Sequence, residues 1–98
     1  MVKQELVGKV SAETGHSRLD SLAVLESMLR HISKALHQGE NVALRGFGTL
    51  FLKERAATKG FDIRRRQVVS IPPRAVVLFR ACRELGMRVD QAYQSRIK

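Results

Sequence analysis

The sequence is poor in the residues that build disulfides, metal sites and stacking platforms. Among its 98 residues there is one cysteine, Cys82, and there is no tryptophan. A single thiol cannot form an intramolecular disulfide, and Cys82 has no second cysteine with which to hold a metal ion. Because Cys82 adjoins an apolar run, the simplest interpretation is a buried free thiol, which agrees with a reducing cytoplasm.

Long hydrophobic runs are also missing. No apolar stretch is long enough to cross a bilayer, and no secretory signal precedes the first helical pattern. We therefore expect a cytoplasmic protein that has no membrane partner.

The sequence contains no recognisable set of catalytic side chains. His16, His31 and His37 lie apart, and neither an acidic cluster nor a second cysteine joins them. The scattered glutamates are typical of helix surfaces rather than of an acid–base pair. No glycine-rich phosphate loop follows a strand. We predict a protein that is not an enzyme and that has no metal, cofactor or small-molecule substrate.

Acidic residues are scarce, and their scarcity is uneven. The chain has 18 Lys and Arg against 9 Asp and Glu, a net charge of +9. Residues 1–50 contain six bases and five acids, whereas residues 51–98 contain twelve bases and four acids. A nearly neutral half joined to a strongly basic half indicates a scaffold carrying a surface for a polyanion. The alternative is a generally basic domain without such a surface.

The first half of the sequence predicts two helices. One spans Lys3–Thr14, and a second begins after Ser17, which is a suitable N-cap, and ends at Gly39. An apolar stripe with helical spacing runs along the second helix through Leu22, Leu25, Leu29, Ile32 and Leu36. A chain this short has a thin core, and this stripe is wider than one short helix covers. We therefore expect two chains to share the core.

The second half predicts strands followed by a helix. In order, the predicted elements are a strand Asn41–Leu44, a turn over 45–48, a strand reaching about Ala57, a returning strand Val68–Ile71, an apolar strand Ala75–Phe79, and a helix from Ala81 with a frayed tail Gln94–Lys98. We expect Val68–Ile71 to pair with Leu50–Arg55 in antiparallel fashion. Pro72 and Pro73 interrupt the ladder because proline has no N–H to donate.

Several short motifs accompany this order of elements. They are Gly39-Glu40-Asn41-Val42, Arg45-Gly46-Phe47-Gly48, Glu54-Arg55-Ala56-Ala57, Lys59-Gly60, Ile71-Pro72 and Phe79-Arg80. Together they resemble the bacterial HU and integration host factor family of histone-like DNA-binding proteins, from Lys3 to about Val89. Arg45 before the glycine turn is more similar to one chain of integration host factor than to HU.

The resemblance implies an α+β fold: an intertwined dimer with a helical base, an antiparallel β-sheet saddle and protruding β-hairpin arms. Residues 1–98 then form a single DNA-binding domain, with a helical dimerisation part over 1–40, a β-saddle over 41–80 whose arm covers about 58–70, and a C-terminal helix and tail over 81–98. The dimer, a homodimer or a heterodimer, is expected to have in its core Leu25, Leu29, Ile32, Leu36, Phe47, Phe51 and Phe79.

The resemblance implies double-stranded DNA as the partner, and cations near its phosphates favour binding because they release condensed counterions. The predicted DNA-binding residues are Lys3, Arg45, Lys53, Arg55, Lys59, Arg64, Arg65, Arg66, Arg74, Arg80 and Arg83. The family's arm tip usually carries an Arg-Asn-Pro segment and a Thr-Gly turn, where this sequence has Phe61-Asp62-Ile63 and Arg65-Arg66. Ile63 and Phe61 are the candidates for an apolar wedge between base pairs, although Phe61 is also suited to packing on the hairpin itself.

These observations predict a largely sequence-independent architectural protein of the bacterial nucleoid, which binds the minor groove with basic β-arms and bends or compacts DNA. One alternative is a site-specific bending protein like integration host factor. Another is a structural or interaction module that has kept the fold and lost bending. RNA is a further possible partner, since phosphate contacts do not by themselves distinguish the two polymers.

Overall fold

A computed structural model describes residues 1–97 of the chain. Its elements are α1 (Lys3–Thr14), α2 (Arg18–His37), β1 (Val42–Leu44), β2 (Gly48–Arg55), β3 (Thr58–Asp62), β4 (Gln67–Ile71), β5 (Arg74–Ala81) and α3 (Arg83–Ile97). No helix within this range is long and apolar enough to span a membrane.

The two N-terminal helices begin and end where the sequence predicts. The Ser17 hydroxyl accepts a hydrogen bond from the Asp20 N–H at 3.0 Å, which satisfies one of the free donors at the start of α2. Arg18 then links the helices, because its guanidinium donates to the Gln4 carbonyl oxygen at 2.9 Å. It passes over Gly8, where an added Cβ would lie 2.9 Å from a guanidinium nitrogen. No local sequence pattern marks this role of Arg18.

The strands form two separate antiparallel sheets. The body sheet has the order β1-β2-β5, and β3 pairs with β4 in a second, two-stranded sheet. The prediction that Val68–Ile71 pairs with Leu50–Arg55 is therefore wrong. Val68–Ile71 belongs to β4 and pairs with Thr58–Phe61, whereas β2 pairs along its whole length with β5. We call Thr58–Ile71 the arm.

Two glycines shape the turn between β1 and β2. Gly46 has φ 81°, a left-handed conformation that glycine adopts without steric cost, and the following Phe47 N–H donates to the Leu44 carbonyl at 2.9 Å. Gly48 is buried, and a Cβ there would lie 2.5 Å from both the Arg80 carbonyl oxygen and the Phe79 ring. The absence of a side chain at Gly48 thus allows β5 and the Phe79 ring to approach closely.

The last helix begins at Arg83, two residues after the predicted start at Ala81. Cys82 precedes it, and its carbonyl accepts the Gly86 N–H at 3.0 Å while its sulfur accepts the Leu85 N–H at 3.4 Å. The predicted frayed tail over Gln94–Lys98 is helical as far as Ile97. Lys98 itself lies outside the described residues.

The chain leaves most of its apolar surface uncovered. Across residues 1–97, Val7 is the only fully buried hydrophobic side chain. The radius of gyration is 19.0 Å, whereas a compact chain of this length has about 13 Å. The accessible surface is 8582 Å², compared with about 5,600 Å² for a compact monomer of this mass. One chain therefore supplies only part of a hydrophobic core.

Candidate nucleic-acid interface

The register of the body sheet separates two kinds of side chain. Paired residues in β2 and β5 point to the same face, and successive residues point to opposite faces. One face, which we call the basic face, carries Thr49, Phe51, Lys53, Arg55, Arg74, Val76, Leu78 and Arg80. The other, the apolar face, carries Gly48, Leu50, Leu52, Glu54, Ala75, Val77, Phe79 and Ala81. Four of the predicted DNA-binding cations thus lie on one side of one sheet.

Of the side chains predicted for the dimer core, Phe79 lies on the apolar face and Phe47 lies in the turn that adjoins it. The Phe47 and Phe79 rings are tilted by 45° with their centroids 5.2 Å apart, a favourable aromatic arrangement. Leu36 of α2 shares a shallow cleft with Leu52 and Val77 of this face. Yet Phe47 is still 51% exposed and Phe79 45% exposed. The α2 side chains Leu25, Ile32 and Leu36 are half-buried, while Leu29 is exposed.

Phe51, which is predicted for the dimer core, lies on a different face of the sheet from Phe79. It lies on the basic face, opposite to Leu50 and Leu52, because side chains alternate along β2. The Arg80 guanidinium lies 4.8 Å from the centroid of the Phe51 ring, in the geometry of a cation–π contact. Phe51 therefore positions a cation of the basic face instead of packing beside Phe47 and Phe79.

The basic face continues into a cleft at the turn between β1 and β2. Arg45, Arg80 and Arg83 line this cleft of about 520 Å³, together with Thr49 and the backbone around Cys82. All three arginines are exposed. Their guanidinium groups make the cleft suitable for an anion, since arginine binds a phosphate through two parallel hydrogen bonds.

The arm presents both cations and apolar side chains to solvent. Lys59 and Phe61 share one of its faces, where Phe61 pairs with Val68 across the two strands. Both members of that pair are exposed. On the other face the Ile71 side chain covers Gly60, where a Cβ would lie 3.0 Å from its Cδ1. Phe61 thus lies beside Val68, an arrangement that suits packing on the hairpin.

The arm tip holds three consecutive arginines around a tight turn. The Asp62 carboxylate accepts the Arg64 N–H at 3.0 Å and the Arg65 N–H at 3.3 Å. Arg66 has φ 52°, so it adopts the left-handed conformation at the place where the family usually has glycine. Ile63, the other wedge candidate, is 82% exposed at the outermost turn. An apolar side chain there has little to contact within its own chain.

Two predicted DNA-binding lysines lie apart from the basic face. The Lys3 amine is 3.2 Å from the Glu26 carboxylate, an exposed ion pair that joins α1 to α2. Lys59 lies beyond the end of β2 at Arg55 and belongs to the separate sheet of the arm. Within residues 1–97, no group of three His, Cys, Asp or Glu side chains is arranged to hold a metal ion.

Comparison with known proteins places this geometry in a defined family. Residues 1–90 match the family described as bacterial DNA-binding protein. The integration host factor subunit alpha of Rhizorhabdus wittichii is 39% identical over 89 residues, which cover 91% of this chain and 89% of the relative. The DNA-binding protein HU of Clostridium pasteurianum is 33% identical over 91 residues, covering 93% of this chain and all of the relative.

Among solved structures, a cocrystal of Anabaena HU with DNA superposes on this chain with a TM-score of 0.87. Sequence identity to that protein is 31%, and the alignment covers 91% of this chain and 97% of the HU chain. The fold of the two chains is therefore the same over most of their length.

Proposed function

Because the chain belongs to the bacterial DNA-binding protein family, which includes HU and integration host factor, we propose that it is a dimeric architectural protein for duplex DNA. It acts by binding and shaping the duplex, not by catalysis. HU and integration host factor are themselves standard examples of minor-groove architectural proteins. One observation carries the proposal for this chain. Lys53, Arg55, Arg74 and Arg80 share one face of the body sheet while apolar side chains occupy the opposite face.

The apolar face, together with the α2 stripe, is the surface on which a second chain packs. Burial of the half-exposed rings of Phe47 and Phe79 contributes a favourable free energy, roughly 25 cal/mol for each Å² removed from water. A second copy of this chain, or another chain of the family, supplies the missing half of the core. Dimer formation then aligns two basic faces into one continuous cationic surface.

The basic face holds the DNA backbone and the two arms reach along the duplex. Each neutralised phosphate releases counterions, so binding weakens as salt concentration rises. The arms carry Arg64, Arg65 and Arg66 to the minor groove, where a narrow groove attracts arginine. Since the minor groove shows a degenerate pattern of donors and acceptors, this mode gives at most a preference for shape or for A·T pairs.

Ile63 is the wedge in this proposal. Insertion of its exposed side chain between two base pairs removes apolar surface from water and unstacks the step, which kinks the duplex. A protein that kinks DNA in this way compacts it, and we place its action in the cytoplasmic nucleoid of a bacterium.

A second candidate function is site-specific bending like that of integration host factor. Two observations favour it: Arg45 stands before the glycine turn, and a relative described as integration host factor subunit alpha reaches 39% identity. Genomic footprinting with purified protein distinguishes the two candidates. Uniform protection supports the general architectural role, whereas a few strongly protected sites support the site-specific one.

The deciding experiment is the affinity for a random duplex measured against salt concentration. If the four cations of each basic face in a dimer contact three or four phosphates, the log–log slope is about −5 to −7. A flat plot would contradict the proposal and favour a structural module without DNA binding. An RNA duplex of equal length is the matched comparison, and equal affinity for both duplexes would show that the protein does not distinguish the two polymers.

A further inference from the structure

The junction between the body sheet and the arm contains an unusual pair of like charges. Arg55 and Arg74 face each other on the last rung of the β2–β5 ladder and point to the same face. Directly opposite residues have Cβ atoms about 5 Å apart, and like charges at that separation destabilise the pairing of two strands. The rung that carries the arm is therefore the electrostatically weakest rung of the body sheet.

Nothing within residues 1–97 neutralises this pair. The ion pairs of that range are Lys3–Glu26 and Arg65–Asp62, both distant from the junction. Glu54 is adjacent in sequence to Arg55, but it projects from the apolar face. Lys53, which lies on the same face two rungs earlier, adds a third positive charge. The junction thus holds a local excess of cations, and no carboxylate of residues 1–97 forms an ion pair with Arg55 or Arg74.

The backbone beyond this rung lacks ladder hydrogen bonds. β2 ends at Arg55 and β3 begins at Thr58, so Ala56 and Ala57 interrupt the first strand. On the returning side Pro72 and Pro73 interrupt the second strand, and neither has an N–H to donate. The two interruptions lie opposite each other, so the arm forms a sheet that is separate from the body sheet. The junction is therefore a hinge whose last fixed point is the Arg55–Arg74 rung.

An open cleft of about 500 Å³ lies at this hinge. It is lined by Glu54, Arg55, Ala56, Pro73, Arg74 and Ala75, so both arginines and both interruptions contribute to the same concavity. A tetrahedral phosphate offers several acceptor oxygens, and two guanidinium groups can each donate to it. An anion placed between the two charges replaces repulsion by attraction on both sides.

We propose that the Arg55–Arg74 rung is a phosphate-operated lock for the arm. In the free protein, repulsion across the rung leaves the hinge loose; when one phosphodiester of the DNA backbone bridges both arginines, the rung tightens and fixes the direction of the arm. This inference rests on the proposed function and goes beyond it, because it makes the two arginines one site with a single ligand and couples backbone contact to arm orientation.

Charge reversal at one position tests the lock without any DNA. In R74E a carboxylate faces Arg55, so the chain supplies internally the anion that phosphate supplies to the wild type. We expect amide hydrogen exchange at the last rung and in the adjacent arm to slow by up to about fivefold in the free R74E dimer. R55E should act in the same way, and the double variant R55E/R74E, which restores a like-charge pair, should lose the protection.

R88E is the matched control, because it makes the same change in net charge on α3 and leaves the hinge untouched. Exchange in R74E and R55E that is no slower than in the wild type, or equal protection in R88E, would overturn the lock. Inorganic phosphate is the second probe. At constant ionic strength it should slow exchange in wild-type protein relative to chloride but have no such effect on R74Q, and identical effects of the two anions would contradict bridging.

Duplex affinity provides the third measurement and separates this inference from the proposed function. If one phosphate bridges both side chains, R55Q, R74Q and the double variant should weaken binding by similar factors. Additive losses would indicate two independent phosphate contacts and would overturn the lock while leaving DNA binding intact. A wild-type protein that binds no duplex would contradict the proposed function. The hydrogen-exchange experiments on R74E would still test whether charge repulsion at this rung loosens the hinge.

Discussion

The same two strands form both faces of the body sheet, but the two faces carry different kinds of side chain. On the apolar face, Phe79 and Val77 are part of an incomplete hydrophobic core, and on the basic face Arg80 and Arg74 form a cationic surface. Successive residues such as Phe79 and Arg80 lie on opposite faces although one peptide bond separates them. The comparison shows that strand alternation alone can place assembly and ligand binding on one small scaffold, provided that neither face depends on the other.

The largest effect should come from breaking the apolar face. Phe79→Ala removes the ring that packs against Phe47 and over Gly48, and a truncated core phenylalanine costs about 3–5 kcal/mol of stability per chain. Since one chain has almost no core of its own, we expect the dimer and the fold to be lost together. Sedimentation equilibrium combined with urea denaturation measures both.

Phe51→Ala is the matched control for that prediction, because it removes the same ring from the opposite face. It should abolish the contact with Arg80, worth about 0.5–1 kcal/mol at an exposed site, and leave the dimer assembled. Dissociation of this variant to the same extent as Phe79→Ala would show that the two faces are not independent.

The next largest effect should come from removing cations at the arm tip. Replacing Arg64, Arg65 and Arg66 together by Ala eliminates three exposed charges per chain and leaves the apolar face unchanged. We expect weaker binding to all duplexes alike, and a salt slope that is smaller by about 1 for each lost phosphate contact. Fluorescence anisotropy with several duplex sequences tests this, and loss confined to one sequence would indicate direct readout instead.

A smaller effect on affinity, but a clear effect on DNA shape, is expected for Ile63→Ala. The substitution shortens the exposed tip side chain without changing any charge. Affinity should be mostly retained while the bend decreases, because wedge insertion kinks the duplex and phosphate contacts supply most of the binding. Fluorescence energy transfer between the duplex ends reports the bend angle. An unchanged angle would eliminate Ile63 as the wedge, and Phe61→Ala then tests the other candidate.

The smallest effect concerns Arg66, whose left-handed backbone conformation is costly for any residue with a Cβ. Arg66→Gly should relieve about 1 kcal/mol of strain, whereas Arg66→Ala removes the same charge and keeps the strain. Comparing these two variants isolates the conformational contribution. Slower amide exchange at the arm tip in the glycine variant is the expected result, and equal exchange would show that the turn is unstrained.

Much of this arrangement follows from local sequence patterns. Ser17 is a clear N-cap for α2, the glycine turn is marked by Gly46 and Gly48, and Lys53 and Arg55 alternate with residues of the other face in β2. The pairing partner of Val68–Ile71 was not predictable in the same way. An alternating pattern does not reveal where a ladder stops, and Ala56 and Ala57 are compatible with either a continuous strand or an interruption.

For two side chains, hydrophobicity and charge alone do not predict the structural role. Phe51 is apolar like Leu50 and Leu52, but its position between them in β2 places it on the opposite face. The role of Arg18 depends on the crossing of α1 and α2 over Gly8, which is a tertiary contact. Counting alternate residues from Leu50 predicts the face of Phe51, whereas no local pattern predicts the contact of Arg18.

Because a single chain buries few side chains, association controls both its stability and its rate of subunit exchange. A protomer whose interior is completed by a neighbour gains its stability only on association, so its denaturation midpoint rises with protein concentration. Exchange of one subunit for another then requires the dimer to dissociate into largely unfolded chains. In a cell that makes several related chains, the pairings established at synthesis would persist, and the rate of subunit exchange would report how fast each dimer comes apart.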